Sequence, residues 1–390
     1  MHARALLPMI REDLAEKMVF LAGPRQVGKT TLARQVLELE GAGAYFSWDN
    51  IQHRRAARAG QWPEPPALLV LDELHKQRGW KRWLKGEYDA HVGEYRYLVT
   101  GSARLDVYRR GGDSLQGRYH HHRLHPFSVR ELAGLLPGAE PGQPLALGTG
   151  AGSAKESTTQ LLERGGFPEP FLSGSERSRR RWRKERSERF VREDVRELEA
   201  VRDLANIELL VDMLPERVGS PLSVNSLCRD LEVSHRAVSN WLEILSRLYF
   251  SFRLPPYTHR AIRGLKKEQK TYLWDWSLVS DPGPRLENML ASHLLKLCHH
   301  LEDVEGRAAK LHYLRDRNGR ELDFLVTVDK KPWFAVEAKT TETAIGSPLR
   351  YFRDRLHIPH VYQCVLHGTR TYVQDGVTVV PAYRFLEAVA

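Results

Sequence analysis

Apolar positions along the first third of the chain switch between two periods. Met18–Ala22 is a short apolar run, and Thr31–Glu40 carries Leu32, Val36 and Leu39 at helical spacing. Tyr45–Trp48, Ala67–Leu71 and Arg96–Thr100 are further compact apolar runs. This succession predicts strands alternating with helices, and therefore an α/β unit with a parallel sheet. Between Leu135 and Ser157 the composition turns to Gly, Pro, Ala and Ser, which predicts a linker or extended loop. Thr158 to about Ala200 reads as helical, broken at Gly165-Gly166-Phe167-Pro168, and Asn206–Pro256 is a second helical block. From Tyr272 onward helices and alternating strands return, ending in a β-rich tail around Val361–Val380. The predicted segments are 1–135, 136–157, 158–204, 205–262 and 263–390, with no internal repeat.

The first apolar strand runs into Gly23-Pro24-Arg25-Gln26-Val27-Gly28-Lys29-Thr30, with Thr31 opening the helical pattern behind it. Glycines at this spacing let backbone N–H groups turn inward around phosphates, and the helix N-terminus adds partial positive charge. Lys29 is then placed for β- and γ-phosphates and the Thr30 hydroxyl for Mg²⁺, so ATP is the expected cofactor. Leu68-Leu69-Val70-Leu71-Asp72-Glu73 is a buried-strand pattern ending in two carboxylates. Asp72 suits Mg²⁺ and Glu73 suits polarising the attacking water. In Leu98-Val99-Thr100-Gly101-Ser102, either Thr100 or Ser102 is placed to sense a γ-phosphate, or the segment is simply a strand-ending turn. Ser114-Leu-Gln-Gly-Arg118 closes a polar loop. Arg118 is either a charge-stabilising arginine offered to a neighbouring subunit or a solvated loop residue.

In the middle of the chain, Leu222–Leu231 carries apolar residues at helical spacing, Glu232-Val233-Ser234 forms a turn, and Ser234 suits the N-cap of the next helix. That helix, His235–Leu248, keeps Val238, Trp241, Leu242, Leu245 and Leu248 on one face and leaves His235, Arg236, Ser239 and Asn240 outward. This is a helix-turn-helix layout, with Tyr249–Pro256 as a candidate wing. It fits either a DNA major groove or a protein partner. Seven arginines and one lysine crowd Arg177–Arg189, as a phosphate-binding face or as a solvated helix. The whole chain carries 59 Lys+Arg against 49 Asp+Glu, a formal charge of +10 over 390 residues, which favours a polyanionic partner without bearing on fold.

Near the C-terminus, Arg320–Val328 alternates, with Leu322, Phe324, Val326 and Val328 on one side and Glu321 and Asp323 on the other. Pro332–Lys339 alternates likewise, so Glu337 and Lys339 share a face. Glu287 opens a helix with Leu290, Leu294 and Leu297 at helical spacing. An acid followed about a dozen residues later by Glu-x-Lys is the PD-(D/E)xK nuclease constellation. Carboxylates at Glu287, Asp323 and Glu337 would hold Mg²⁺ or Mn²⁺, and Lys339 would position or deprotonate the attacking water. Such a domain either cleaves or persists as a DNA-binding remnant.

Collagen-like, disordered and disulfide-stapled classes are excluded by 42% hydrophobic and 28% charged residues. Cys228, Cys298 and Cys364 lie far apart, as reduced thiols of a cytoplasmic protein do. No apolar stretch has the length of a membrane span, so no membrane partner is expected.

Across nearly its full length the chain resembles the bacterial and archaeal P-loop ATPases of AAA+ type that carry a C-terminal domain with a restriction-endonuclease-like core. The resemblance rests on Gly23–Thr31, Leu71-Asp-Glu73, Thr100-Gly-Ser102, Ser114–Arg118, Pro126-Phe-Ser128, Gly165–Glu169, Leu254-Pro-Pro-Tyr257, Leu286-Glu-Asn288, Glu321-Leu-Asp-Phe324 and Val336-Glu-Ala-Lys339. It implies an α/β fold: a parallel-sheet ATPase core, a helical lid and winged helix, then a mixed α/β nuclease-like domain. It also implies a homo-oligomeric, hexameric ring with ATP at subunit interfaces, where Arg118 would act. The function so implied is an ATP-dependent DNA-processing motor with a metal-dependent nuclease, acting on duplex or branched DNA such as forks and four-way junctions. The alternative is a regulatory ATPase switch or DNA-binding module whose nuclease domain is degenerate.

Overall fold

The computed structural model describes residues 4–101, 115–148, 153–195, 203–258 and 268–389. The chain divides into two compact units at His125–Pro126, ahead of the residue-135 boundary expected from composition. Phe127 already belongs with the second unit, its N–H donating to the Gly166 carbonyl at 2.7 Å.

The first unit is built on strands β1 (Met18–Ala22), β2 (Gly43–Ser47), β3 (Ala67–Asp72), β4 (Tyr95–Thr100) and β5 (Tyr119–Arg123). All pair in parallel, in the spatial order β2-β3-β4-β1-β5. β1 and β3 are buried at every position, which is why they read as continuous apolar runs rather than alternating ones. Met18, Phe20, Ala22, Leu69, Leu71, Tyr97 and Val99 pack on one face with Leu74, Trp80 and Leu84 from the segment after β3. The register aligns strand ends: Leu21 pairs with Thr100, and Asp72 pairs with Thr100. The carboxyl ends of β1, β3 and β4 therefore meet at one edge, where ligands of open α/β sheets bind.

The second unit begins with the short helix Val129–Leu132, followed by Ser153–Arg164, Pro168–Leu172 and Glu176–Arg189, the break falling at the Gly-Gly-Phe-Pro segment. The Gly/Pro-rich stretch before them has no helix or strand from 135 to 148, yet it does not hang free. The Trp333 indole N–H donates to the Gln143 carbonyl at 2.8 Å, and the Leu145 N–H donates to the Tyr362 hydroxyl at 2.9 Å. Helices Val224–Asp230 and His235–Arg247 follow, joined by the short turn, with the Ser234 hydroxyl accepting from the Ala237 N–H. A two-stranded antiparallel ribbon comes next, β6 (Ser251–Leu254) with β7 (Lys270–Leu273). Its second strand lies past the residue-262 boundary expected for this segment.

Helix Pro282–Asp303 then leads into a mixed six-stranded sheet, ordered β12-β13-β11-β10-β9-β8. Its strands are β8 (Ala309–Arg315), β9 (Glu321–Val328), β10 (Lys331–Lys339), β11 (His360–Val365), β12 (Tyr372–Gln374) and β13 (Val377–Pro381). β8, β9 and β10 form an antiparallel meander, while β10, β11 and β13 run parallel, with helix Ser347–Leu356 crossing between β10 and β11. Leu322, Leu325, Leu349, Phe352 and Val365 are among the side chains that fill the core beneath that helix.

Candidate functional site

At the carboxyl end of β1 the chain turns through Gly23 at φ 147°, where a Cβ would lie 2.5 Å from the Leu124 carbonyl oxygen, so only glycine fits. Gln26 and Gly28 also adopt positive φ, and Gly28 caps helix Lys29–Glu40. The Arg4 guanidinium braces the loop from behind, donating to the Val27 carbonyl at 2.9 Å and to the His125 carbonyl. Lys29 is buried, its ammonium donating to the Gly23 and Pro24 carbonyls at 2.9 and 2.7 Å. Pro24 and Val27 are buried, Arg25 is half-buried, and Gln26 and Thr31 are exposed.

Asp72 ends β3 beside this loop and is 4% exposed. Its Oδ2 accepts from the Thr30 hydroxyl at 3.0 Å and from the Tyr45 hydroxyl at 2.5 Å; its Oδ1 accepts from the Thr100 hydroxyl. Three neutral donors thus fix the carboxylate without cancelling its charge. A hard divalent cation is well matched to this hydroxyl and carboxylate oxygen set, and Thr30 and Asp72 are the residues that would hold Mg²⁺. Burial, and then the hydrogen bond to Asp72, push the Tyr45 hydroxyl up to about 12, so it remains a donor. Glu73 sits in left-handed backbone at φ 58°. Burial raises its carboxyl above the usual carboxylate value, against the pull of Lys29 and Lys76. A raised carboxyl beside a phosphate cradle is suited to take a proton from water.

Arg118 precedes β5 at the opposite end of the sheet, its carbonyl accepting from the Met18 N–H. About 15 Å of strand separates that edge from the loop after β1. Its guanidinium pairs with Asp89 at 2.8 and 3.1 Å. Arg118 is therefore out of reach of its own chain's P-loop. Ser102 lies outside the described residues.

In the second unit, β9 and β10 are antiparallel neighbours, with Phe324 opposite Val336, so Asp323 and Glu337 share a face. The Asp323 Oδ2 accepts from the Ala338 N–H at 2.9 Å. Each expected metal ligand already faces a protein cation. Lys270, on β7 and 1% exposed, places its ammonium 2.7 Å from Glu321, 3.1 Å from Glu287 and 3.7 Å from Asp323. Glu337 pairs with Lys339 at 2.8 Å, and Arg315 takes the other oxygen of Glu321 at 3.1 Å. Burial pulls the Lys270 ammonium down, but Glu287, Asp323 and Glu321 outweigh it and hold it above its ordinary value. Burial and then Asp323 push Glu287 up to about 7. Glu287 and Asp323 thus share the Lys270 ammonium, while Glu337 faces Lys339. Among the described residues no group of three or more His, Cys, Asp or Glu is arranged to hold a metal ion. The residues present do not fit a preformed Mg²⁺ or Mn²⁺ centre, because an ammonium stands among the carboxylates. Glu337 Oε2 and Gln363 Oε1, paired across β10 and β11, are buried acceptors without a hydrogen bond.

The arginine-rich helix is divided. Arg186 turns inward, 3.2 Å from Asp275 and stacked 3.8 Å over the Phe167 ring, and Arg183 donates to the Ser277 carbonyl. Arg177, Arg180, Arg181 and Lys184 remain exposed. On helix His235–Arg247, Val238, Trp241, Leu242 and Leu245 are buried, while His235, Arg236 and Asn240 are exposed. Tyr45 and Lys270 join these sites without belonging to any of the sequence motifs. Tyr45 carries no local signal, whereas a lysine inside the strand-like run Lys270–Trp274 demands a buried partner.

This geometry defines the first unit as a P-loop ATPase domain. Residues 15–133 match the model described as an AAA domain. Residues 155–281 and 282–385 match two models described as domains of unknown function, DUF8612 and DUF4143. An uncharacterized protein of Mycobacterium tuberculosis is 24% identical over 389 residues, spanning 95% of this chain and 81% of that protein. An uncharacterized protein of Methanocaldococcus jannaschii is 25% identical over 334 residues, spanning 74% and 69%. Among solved structures, a Walker-type ATPase of Pyrococcus abyssi superposes with a TM-score of 0.41 at 16% identity, covering 70% of this chain and 93% of that one. The ORC1 protein of Aeropyrum pernix in complex with DNA gives 0.33 at 16%, covering 74% and 91%. Superpositions this loose transfer no residue role. Among the described residues no helix is long and apolar enough to cross a membrane.

Proposed function

We propose that the protein is an ATP-hydrolysing switch that governs binding to duplex or branched DNA, with a nuclease-like sheet that contributes binding rather than cleavage. The observation that carries this reading is the contrast between an Asp72 held by neutral hydroxyls and an Asp323 cluster facing the Lys270 ammonium. In the first unit, with nucleotide bound, Lys29 would leave the Gly23 and Pro24 carbonyls for phosphate oxygens, Thr30 and Asp72 would hold Mg²⁺, and Glu73 would accept the proton of the attacking water. Arg118, remote from its own P-loop, supports a ring in which it faces a neighbour's nucleotide. The helix-turn-helix with its β6–β7 ribbon supports a winged-helix reading, with His235, Arg236 and Asn240 toward DNA and Arg177, Arg180 and Arg181 toward phosphates.

A second reading, metal-dependent cleavage by Glu287, Asp323, Glu337 and Lys339, is favoured by the shared face of Asp323 and Glu337 and by the open Glu337 oxygen. Fork, junction and supercoiled DNA incubated with the full chain, Mg²⁺ or Mn²⁺, with and without ATP, separates the two. The switch predicts retention that changes with nucleotide, weakens steeply with salt, and leaves the DNA uncut. Lys29→Ala lowers ATP turnover about 100-fold or more and abolishes the nucleotide effect. Nicking lost in Asp323→Ala establishes the second reading instead.

A further inference from the structure

We infer that Lys270 is a resident counter-cation: it occupies the centre of the Glu287, Glu321 and Asp323 carboxylates, ties ribbon to sheet, and keeps divalent metal out. This deepens the reading of a sheet that does not cleave, and it rests on that reading only for the second unit. Three elements converge on the ammonium. β7 brings Lys270 itself, helix Pro282–Asp303 brings Glu287, and β9 brings Glu321 and Asp323.

An ammonium is a compact charge with three donors; Glu321 and Glu287 accept at 2.7 and 3.1 Å, and Asp323 adds an ion pair at 3.7 Å. A divalent ion binding the same oxygens at about 2.0–2.6 Å would have to stand where the ammonium stands. Other groups hold the remaining oxygens as well. The Tyr272 hydroxyl donates to Glu287 Oε1 at 2.6 Å, and Arg315 holds the far oxygen of Glu321. Gly219, at φ 77°, covers Glu287 so closely that a Cβ there would lie 2.8 Å from Oε2. The lysine is fixed by folding, so the cluster keeps its geometry without metal.

The test is Mn²⁺ binding followed by electron paramagnetic resonance on the full chain carrying Asp72→Asn, which removes the first unit's cation ligand, without nucleotide. With Lys270 present, no Mn²⁺ is taken up below about 1 mM. Adding Lys270→Met creates one site at least about tenfold tighter, which Glu321→Gln removes again, whereas Lys270→Arg creates none. A folded Lys270→Met protein that gains no metal overturns the inference. So does stoichiometric Mn²⁺ on the Asp72→Asn protein that is lost with Asp323→Asn or Glu337→Gln, and this arm needs no change at Lys270. ATP turnover and DNA retention are separate measurements, so failure of the switch is distinguishable from failure of the counter-cation.

Discussion

Asp72 and Asp323 both lie on strands, both are largely withdrawn from water, and both gather other polar groups around them, yet the company differs in charge. Around Asp72 the donors are the hydroxyls of Thr30, Tyr45 and Thr100, while the nearby Lys29 is turned to backbone carbonyls. Around Asp323 the Ala338 N–H donates, and the Lys270 ammonium stands 3.7 Å away as an ion-pair partner. Neutral donors orient a carboxylate and leave its charge for a cation to use. A lysine orients it and cancels that charge. Two acidic sites in one chain, alike in sequence as carboxylates at strand positions, thus differ in their partners: one is held by neutral hydroxyls, the other faces a protein cation.

The largest break in this comparison is at Glu73. Its carboxyl must be ionised to accept a proton, and burial raises its pKa. Turnover should therefore fall as pH drops through a limb displaced upward from the ordinary carboxylate range, and plateau above it. Glu73→Gln should lower kcat by about 10²–10⁴-fold, leave nucleotide binding in place, and erase that limb. Phosphate release measured from pH 5 to 9, as roughly a ten-thousandfold proton range, checks both outcomes. A Glu73→Gln protein with unchanged turnover would remove the base from this site.

Next in size is the cost of removing the cation from the Asp323 site. Lys270→Met leaves three carboxylates around an apolar chain, and breaking a buried pair by removing one partner costs about 3–5 kcal/mol. For a chain of this size that is a fall in Tm of about 10 °C in the second unit. Pairing it with Glu321→Gln should recover part of the loss, because one uncompensated charge goes with it. Thermal unfolding of the single and double variants gives the coupling directly; simple additivity would mean that the two side chains do not share one cluster.

These two sites also differ in how far they could be read from sequence. The P-loop is a local device: its glycines, lysine and threonine are consecutive, and the strand-to-helix context is written in adjacent residues. Asp72, Glu73 and Thr100 follow because parallel strands end at a common edge. The helix-turn-helix was legible for the same reason, its cap and apolar stripe being local. The face shared by Asp323 and Glu337 followed from period two in neighbouring strands. What decides the chemistry there did not. Lys270 arrives from the ribbon, on the far side of helix Pro282–Asp303 in sequence, and no spacing rule links it to Glu321. The arginine run misled in a related way: composition makes all seven look solvated, but packing turns Arg183 and Arg186 inward against Ser277 and Asp275. Charge counts are read from sequence, whereas the pairing that spends those charges is tertiary.

The smallest effect is the most discriminating for the Asp72 site. Tyr45→Phe removes one of the two hydroxyls on Asp72 Oδ2 while leaving Thr30 in place and keeping a ring under Arg34, whose guanidinium lies 4.5 Å from the Tyr45 centroid. A neutral hydrogen bond contributes about 0.5–1.5 kcal/mol net, so kcat should change by less than about tenfold. The direction for cation binding is the informative part. With one donor fewer, Oδ2 has more capacity for Mg²⁺, and the Mg²⁺ concentration giving half-maximal turnover should stay level or fall. Titrating Mg²⁺ at saturating ATP measures it. A rise of about tenfold or more would mean that Tyr45 is needed to aim the carboxylate, and that the first site depends on its donors as strictly as the second depends on Lys270.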